Sequence, residues 1–375
     1  MYLLNEKDKK WIDEIWNKLD EKHSRAAISA REKIPYSTIN GKYDDEGKNP
    51  IYRWTNGFWP GLMWLMYVGT KNEEYRKTAE NAEKMLDEAF EYPEYLSHDV
   101  GFMWHISSGI NYRLFGGEKS KRRTYMAANV LAGRYNPAGN YIQAWEVPGR
   151  EGWTIIDCMM NLPLLYMAAD SFGQPRFKLI GERHADWAMK EHIRPDGSVR
   201  HIVCTNPETG EVTGYDRGQG YSETSAWSRG QGWALYGFVL SYIHTGREEF
   251  LETAKKVAHY VIAESSANGW LQKVDYKGPC ELCDTTAGAV SACGLIEIAR
   301  ILNEEDGKVY LSAAMNILRA LEENFCDWSE NESVLQHGVA TYFPDERRKG
   351  EHIIYGDYYF AEAIYKLKGF EPLFW

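Results

Sequence analysis

Two kinds of helical pattern take turns along this chain, six times over, and few architectures accommodate that arrangement. The first kind is amphipathic. Between Arg247 and Glu264, Phe250, Leu251, Ala254, Val257, Ala258, Val261 and Ile262 recur at helical spacing with charges between them, which predicts a helix solvated on one side. Similar stretches run from about Asn5 to Ala30, Glu73 to Phe90, Lys119 to Ala132, Gln174 to Ile193 and Asp306 to Phe325. The second kind is apolar nearly all round and opens on small polar residues: Phe58 to Val68, Val100 to Phe115, Ile156 to Ala169, Gly232 to His244, Thr285 to Ile301 and Asp357 to Leu367. Such segments belong inside a protein. Hairpins that each bury one helix and expose the other close into a double ring, so the expected fold is all-α, an (α/α)6 barrel. No proline-rich, Gly/Ser-rich or like-charge block interrupts the pattern, and residues 1–375 are expected to form one domain.

The connections differ by direction. Inner-to-outer turns such as Val68 to Lys71 and Thr245 to Arg247 are short, whereas each lead-in to an inner helix is long or glycine-rich. The long loops therefore gather on one barrel face, and long irregular loops in compact domains are usually functional. The longest runs from Pro195 to Ser228. Within it Ser198 to Val203 and Glu211 to Tyr215 flank Asn206-Pro207-Glu208-Thr209-Gly210, which predicts a β-hairpin over the site.

Forty-three Lys and Arg against 54 Asp and Glu leave a formal net charge of −11, the wrong sign for a general nucleic-acid binder. An anionic ligand would need a local basic pocket. Met1 to Trp16 mixes charged and apolar residues without the apolar run of a secretory signal, so a cytoplasmic protein with no membrane association is expected, as a monomer or weak homo-oligomer. Six cysteines include a single Cys-x-x-Cys pair, Cys280 and Cys283, and no further ligand pair at metal spacing; reduced thiols and no metal are expected. No phosphate-binding glycine loop or nucleophile elbow occurs, and no cofactor is expected. Aromatic residues reach 14%, which suits either stacked sugar rings or a large core of flat side chains.

Polar clusters stand at the inner-helix lead-ins: Trp54-Thr55-Asn56-Gly57, Ser97-His98-Asp99, Ile156-Asp157-Cys158, Ser228-Arg229-Gly230-Gln231-Gly232-Trp233, Cys283-Asp284-Thr285 and Tyr355-Gly356-Asp357. In a barrel these starts converge on one funnel. Asp284 and Asp357 are expected to cap their helices. Asp157 differs, because Ile155-Ile156 and Cys158-Met159-Met160 surround it with apolar groups that favour the neutral acid, a form able to donate a proton. Asp99 would share protons with Asp157 if the two approach across the barrel. Arg229, between Trp227 and Trp233, could fork onto a substrate carboxylate or form a structural ion pair. His98 and His201 could donate to sugar oxygens or simply be satisfied by neighbours.

Trp54-Thr55-Asn56-Gly57-Phe58-Trp59, His98-Asp99-Val100-Gly101-Phe102, Ile156-Asp157-Cys158-Met159-Met160-Asn161 and Trp227-Ser228-Arg229-Gly230-Gln231-Gly232-Trp233 together resemble, in order, glycoside hydrolase family 88, the unsaturated glucuronyl hydrolases, across nearly the whole chain. The resemblance implies an (α/α)6 barrel that acts on oligosaccharides ending in a 4,5-unsaturated uronic acid. It implies that Asp157 protonates C4 of the vinyl ether and assists attack of water at C5, while Asp99 keeps that carboxyl oriented and protonated. It further implies that Trp54 and Trp233 shape the pocket, that His201, Gln219 and Arg229 hold the unsaturated ring, and that Asn56, His98 and Tyr355 assist. The competing expectations are an unsaturated rhamnogalacturonyl hydrolase acting on pectin fragments, a sugar 2-epimerase, which would use a histidine pair, and a non-catalytic sugar-binding barrel.

Overall fold

The computed structural model describes residues 4–342, 350–372, 374 and 375; Met1 to Leu3, part of the segment read for a leader, lie outside these. Among them the amphipathic stretches form the outer helices α1 (Glu6–Ser29), α3 (Glu73–Met85), α6 (Glu118–Gly133), α8 (Pro175–Glu191), α10 (Glu248–Ala267) and α12 (Glu304–Phe325). The inner ring is α2 (Phe58–Thr70), α4 (Val100–Trp104) continued by α5 (Ile110–Phe115), α7 (Leu162–Phe172), α9 (Ser228–Thr245), α11 (Thr285–Ile301) and α13 (Ile354–Leu367). Each inner helix packs on the next, and α13 packs back on α2, so the ring closes. Every residue from Thr285 to Ala299 of α11 is buried, as its all-round apolar pattern requires.

Local chemistry sets the helix ends. Asn5, Asn72 and Asn303 accept backbone N–H bonds at the starts of α1, α3 and α12, and acidic residues follow in each first turn, where the helix dipole favours negative charge. The short inner-to-outer turns close on a left-handed residue after α2, α5, α7 and α9: Lys71, Gly116, Gly173 and Gly246, with φ of 63°, 71°, 61° and 72°.

The second inner segment is not one uniform helix. A π-helical turn, His105–Gly109, separates α4 from α5. Beside it the buried Glu83 of α3 accepts from Trp64 Nε1 at 2.8 Å, Ser108 Oγ at 3.0 Å and Arg123 Nη1 at 3.1 Å, which ties the turn to α3 and α6. The expected inner helix from Ile156 also begins late. Residues Ile156–Met160 form a 3₁₀ turn, and α7 starts at Leu162 with Pro163 in its first turn.

The expected hairpin is present with shifted strands and a third partner. Counting β1 (Thr38–Ile39) and β2 (Lys42–Tyr43), which pair, then β3 (Tyr135–Asn136) and β4 (Tyr141–Ile142), which pair, the remaining strands are β5 (Trp153–Ile155), β6 (Ile202–Thr205) and β7 (Val212–Asp216). They form one antiparallel sheet in the order β5-β6-β7, with Ile155 opposite Ile202. Periodicity within one loop could not reveal that a strand from another loop joins it.

Candidate active site

Sheet β5-β6-β7 delivers two site residues side by side: Asp157 follows β5 by two residues and His201 precedes β6. Ile156 N–H donates to the His201 carbonyl at 3.1 Å, which fixes that juxtaposition. Asn161 then joins the Asp157 turn to the start of α4, accepting from Phe102 N–H at 2.8 Å and donating to the Asp157 carbonyl at 3.3 Å. Asp99 stands one residue before α4 and makes no capping bond, so its carboxyl is left for other partners.

Each aspartate faces its own imidazole. Asp99 Oδ1 lies 3.1 Å from His98 Nε2, and Asp157 Oδ1 lies 3.4 Å from His201 Nε2. The carboxyl-bearing side chains are 14% and 13% exposed, while the imidazoles are 1% and 5% exposed, so the acids look outward from a buried histidine base. His98 Nδ1 is 2.9 Å from the Ala144 carbonyl and must carry a hydrogen to donate there. Its Nε2 faces Asp99. Burial alone would lower the His98 pKa, but the Asp99 charge and hydrogen bond, the Ala144 carbonyl and the Asp157 charge outweigh it and hold it above its ordinary value.

The His201 Nδ1 sits between a donor and an acceptor: Gln219 N–H donates to it at 3.0 Å, and the Arg217 carbonyl lies 3.2 Å away. At 3.4 Å His201 Nε2 makes no hydrogen bond of normal geometry to Asp157, whose Oδ1 is buried without a partner among the described residues. The Gln219 loop comes this close because Gly218 sits at φ 53°, and a Cβ there would fall 2.3 Å from His201 Nδ1. The charges of both aspartates reach the Cys158 thiol, whose pKa burial and those charges push well above the usual thiol range, so it stays neutral between them.

Aromatic rings wall the funnel. Trp54 lies 5.1 Å from Tyr355 and 5.3 Å from Phe102, and Phe102 lies 5.2 Å from Trp233. Trp54 is half-buried, whereas Trp233 is fully buried behind Phe102 and Tyr359, and Tyr355 is buried as well. Asn56 is buried and holds the Gly47 and Ile51 carbonyls at 2.6 and 2.7 Å, pinning the loop before Trp54. Gln219 is half-buried, and its amide donates to the Ala340 carbonyl at 3.1 Å.

Arg229 is committed within the protein. Its Nη1 donates to Asp284 Oδ2 at 3.0 Å, Thr286 Oγ1 at 3.2 Å and the Val339 carbonyl at 2.7 Å, and Nη2 donates to the Ala340 carbonyl at 2.7 Å. Its guanidinium carbon stacks 4.5 Å from Trp227 and 5.2 Å from Tyr355. The ion pair with Asp284 is therefore buried, and Arg229 Nε is left without a partner among the described residues. Asp284 also caps α11 through Thr286 N–H, as expected. Asp357 does not cap: it lies inside the first turn of α13 and accepts from Tyr43 OH, Ser333 Oγ, Val334 N–H and Leu335 N–H, clamping that loop. Replacing Arg229 with alanine strips Asp284 of its buried cation, and a loss of about 3–5 kcal/mol is expected, read as a lower denaturant midpoint at unchanged slope.

Three further residues shape the site. Trp227 is buried 4.3 Å from the His201 ring, with its Nε1 unpartnered. Asp275 accepts from Tyr221 N–H, Ser225 Oγ, Ala226 N–H and Lys277 N–H, which shapes the loop into α9. The Ala144 carbonyl, which fixes the His98 tautomer, is a backbone group that no motif can advertise.

A family model, Glycosyl Hydrolase Family 88, matches residues 30–324. An unsaturated glucuronyl hydrolase of Bacillus sp. strain GL1 is 33% identical over 326 residues, 84% of this chain and 86% of that protein. An unsaturated chondroitin disaccharide hydrolase of Streptococcus pneumoniae is 32% identical over 332 residues, 86% of this chain and 83% of its own. The crystal structure of the Bacillus sp. GL1 unsaturated glucuronyl hydrolase superposes with a TM-score of 0.87 at 31% identity, covering 96% of this chain and 99% of that one.

Proposed function

The chain belongs to glycosyl hydrolase family 88, a family of glycosidases, and from that membership we propose that it releases a 4,5-unsaturated uronic acid from the non-reducing end of lyase-generated oligosaccharides. The observation that carries the reading is a pair of carboxyls each set against an imidazole: Asp157, 13% exposed with its Oδ1 unpartnered among the described residues, beside His201, and Asp99 beside His98. Asp157 donates its proton to C4 of the vinyl ether, and positive charge develops at C5 and the ring oxygen. The Asp157 carboxylate left behind stabilises that charge and takes a proton from the water that attacks C5. The resulting hemiketal opens and releases the remaining sugar. No displacement occurs at the anomeric carbon, so the spacing rule for retaining and inverting glycosidases does not apply.

Trp54, backed by the buried Phe102 and Tyr355, offers the sugar ring an apolar face. Arg229 contributes positive potential, and of its donors Nε has no partner among the described residues. Trp233, Asn56 and Gln219 act from behind, by holding the wall and loops. No helix among the described residues is long and apolar enough to cross a membrane. The six cysteines are free, which supports a reducing, cytoplasmic setting as part of the same proposal. The test is incubation with unsaturated disaccharides made by lyases from glycosaminoglycans and pectin, following the ultraviolet absorbance of the conjugated double bond. Absorbance should fall on glucuronyl substrates first. An unchanged signal across the panel would reject vinyl-ether hydration.

A further inference from the structure

An aromatic cluster outside the funnel wall takes no part in the chemistry above. Tyr52 and Tyr95 stack with ring centroids 4.7 Å apart at 15°, and Tyr92 packs on Tyr52 at 6.0 Å. Tyr95 is 56% exposed and Tyr92 38%, while Tyr52 anchors the group on the core. Exposed tyrosines ordered by a stack rather than by burial are poised to offer ring faces to a ligand.

The cluster joins the two loops that build the site. Tyr52 lies two residues before Trp54, and Tyr95 lies four residues before Asp99, which bounds its Cα to within about 14 Å of the Asp99 Cα. Arg53, between Tyr52 and Trp54, turns back over Tyr36 and donates to Glu46 at 3.1 Å, so its charge is already matched. The Leu86 to Asp99 stretch holds no lysine or arginine, and Glu91 and Glu94, flanking Tyr92 and Tyr95, are exposed and form no ion pair among the described residues. A sulfate or carboxylate placed there would be repelled.

We propose that Tyr52, Tyr92 and Tyr95 form a second sugar platform at the funnel mouth that receives uncharged downstream residues of a longer oligosaccharide. This rests on the reading of the substrate given above. The platform sets preference by length and charge: chains whose downstream sugars are neutral gain a stacking contact, and sulfated chains of equal length do not.

The test compares wild type and Tyr95→Ala on an unsaturated disaccharide and on an unsaturated tetrasaccharide with neutral downstream sugars. The expected result is an unchanged kcat/KM on the disaccharide and a loss of about three- to tenfold on the tetrasaccharide, carried by KM. The double variant Glu91→Lys/Glu94→Lys should raise kcat/KM on a sulfated tetrasaccharide relative to the neutral one. Equal losses on both lengths, or none on the tetrasaccharide while wild type turns over the disaccharide, would overturn the platform alone. A concentration-dependent dimer that Tyr95→Ala abolishes, with unchanged kinetics, would overturn it in favour of a second copy on this face. Failure of wild type on every unsaturated substrate would sink the functional reading and the platform with it.

Discussion

Asp157→Asn is expected to fold as the parent does and to lose about 10²- to 10⁴-fold in kcat, the range that one positioned proton donor supplies. The side chain is 13% exposed, and its Oδ1 accepts no hydrogen bond, so an amide of the same shape breaks no bond at that oxygen. The link from the turn to α4 runs through the Asp157 main-chain carbonyl and Asn161, which the substitution leaves untouched. What disappears is the transferable proton and the negative charge facing the oxocarbenium-like transition state. Circular dichroism and thermal unfolding would register the retained fold, and double-bond absorbance the lost turnover. Near-parental turnover in a folded variant would remove Asp157 from the mechanism.

For Asp99→Asn the expected loss is also large, on the order of 10²-fold, and it comes with a titration that a purely structural role would not move. In the parent, burial opposes the His98 imidazolium, and the Asp99 charge is the foremost interaction that overcomes it. Without that charge burial governs, and the His98 pKa should fall below the ordinary histidine value of about 6.5. The sign for stability follows. A raised folded-state pKa stabilises fully below the unfolded value, and the contribution fades as pH rises through the folded value. The stability gap between parent and variant should therefore be widest on the mildly acidic side of about pH 6.5 and narrow toward alkaline pH. NMR titration of the imidazole nitrogens and denaturation at several pH values measure the two effects. An unmoved His98 would separate Asp99 from the proton balance of the site.

The contrast between the two aspartates shows where sequence reading stops. Asp157 stood out because apolar neighbours surround it along the chain, a one-dimensional property. Its pairing with His201 arises because β5 and β6, 47 residues apart at the paired Ile155 and Ile202, meet in one sheet, and no local pattern encodes that pairing. The sequence expectation paired Asp99 with Asp157 if the two approach across the barrel; the folded chain also sets each carboxyl against a histidine, His98 and His201. Arg229 carries the same lesson. Its place between two tryptophans drew the eye in the sequence, but the carbonyls of Val339 and Ala340 that accept from its Nη groups come from 110 and 111 residues away.

Helix number, order and polarity were legible because burial imposes a 3.6-residue rhythm on the chain, and so was the gathering of long loops on one face, since the short turns carry their own left-handed stop residues. The motifs were sufficient for the family as well. Only the tertiary structure decided the π-turn in the second inner segment, the third strand behind Asp157, the tautomer of His98, the neighbours of His201 and the buried ion pair of Arg229. Each of these depends on a backbone carbonyl, an N–H or a side chain brought in from a distant segment, and hydrogen bonds across space leave no periodic trace in a sequence.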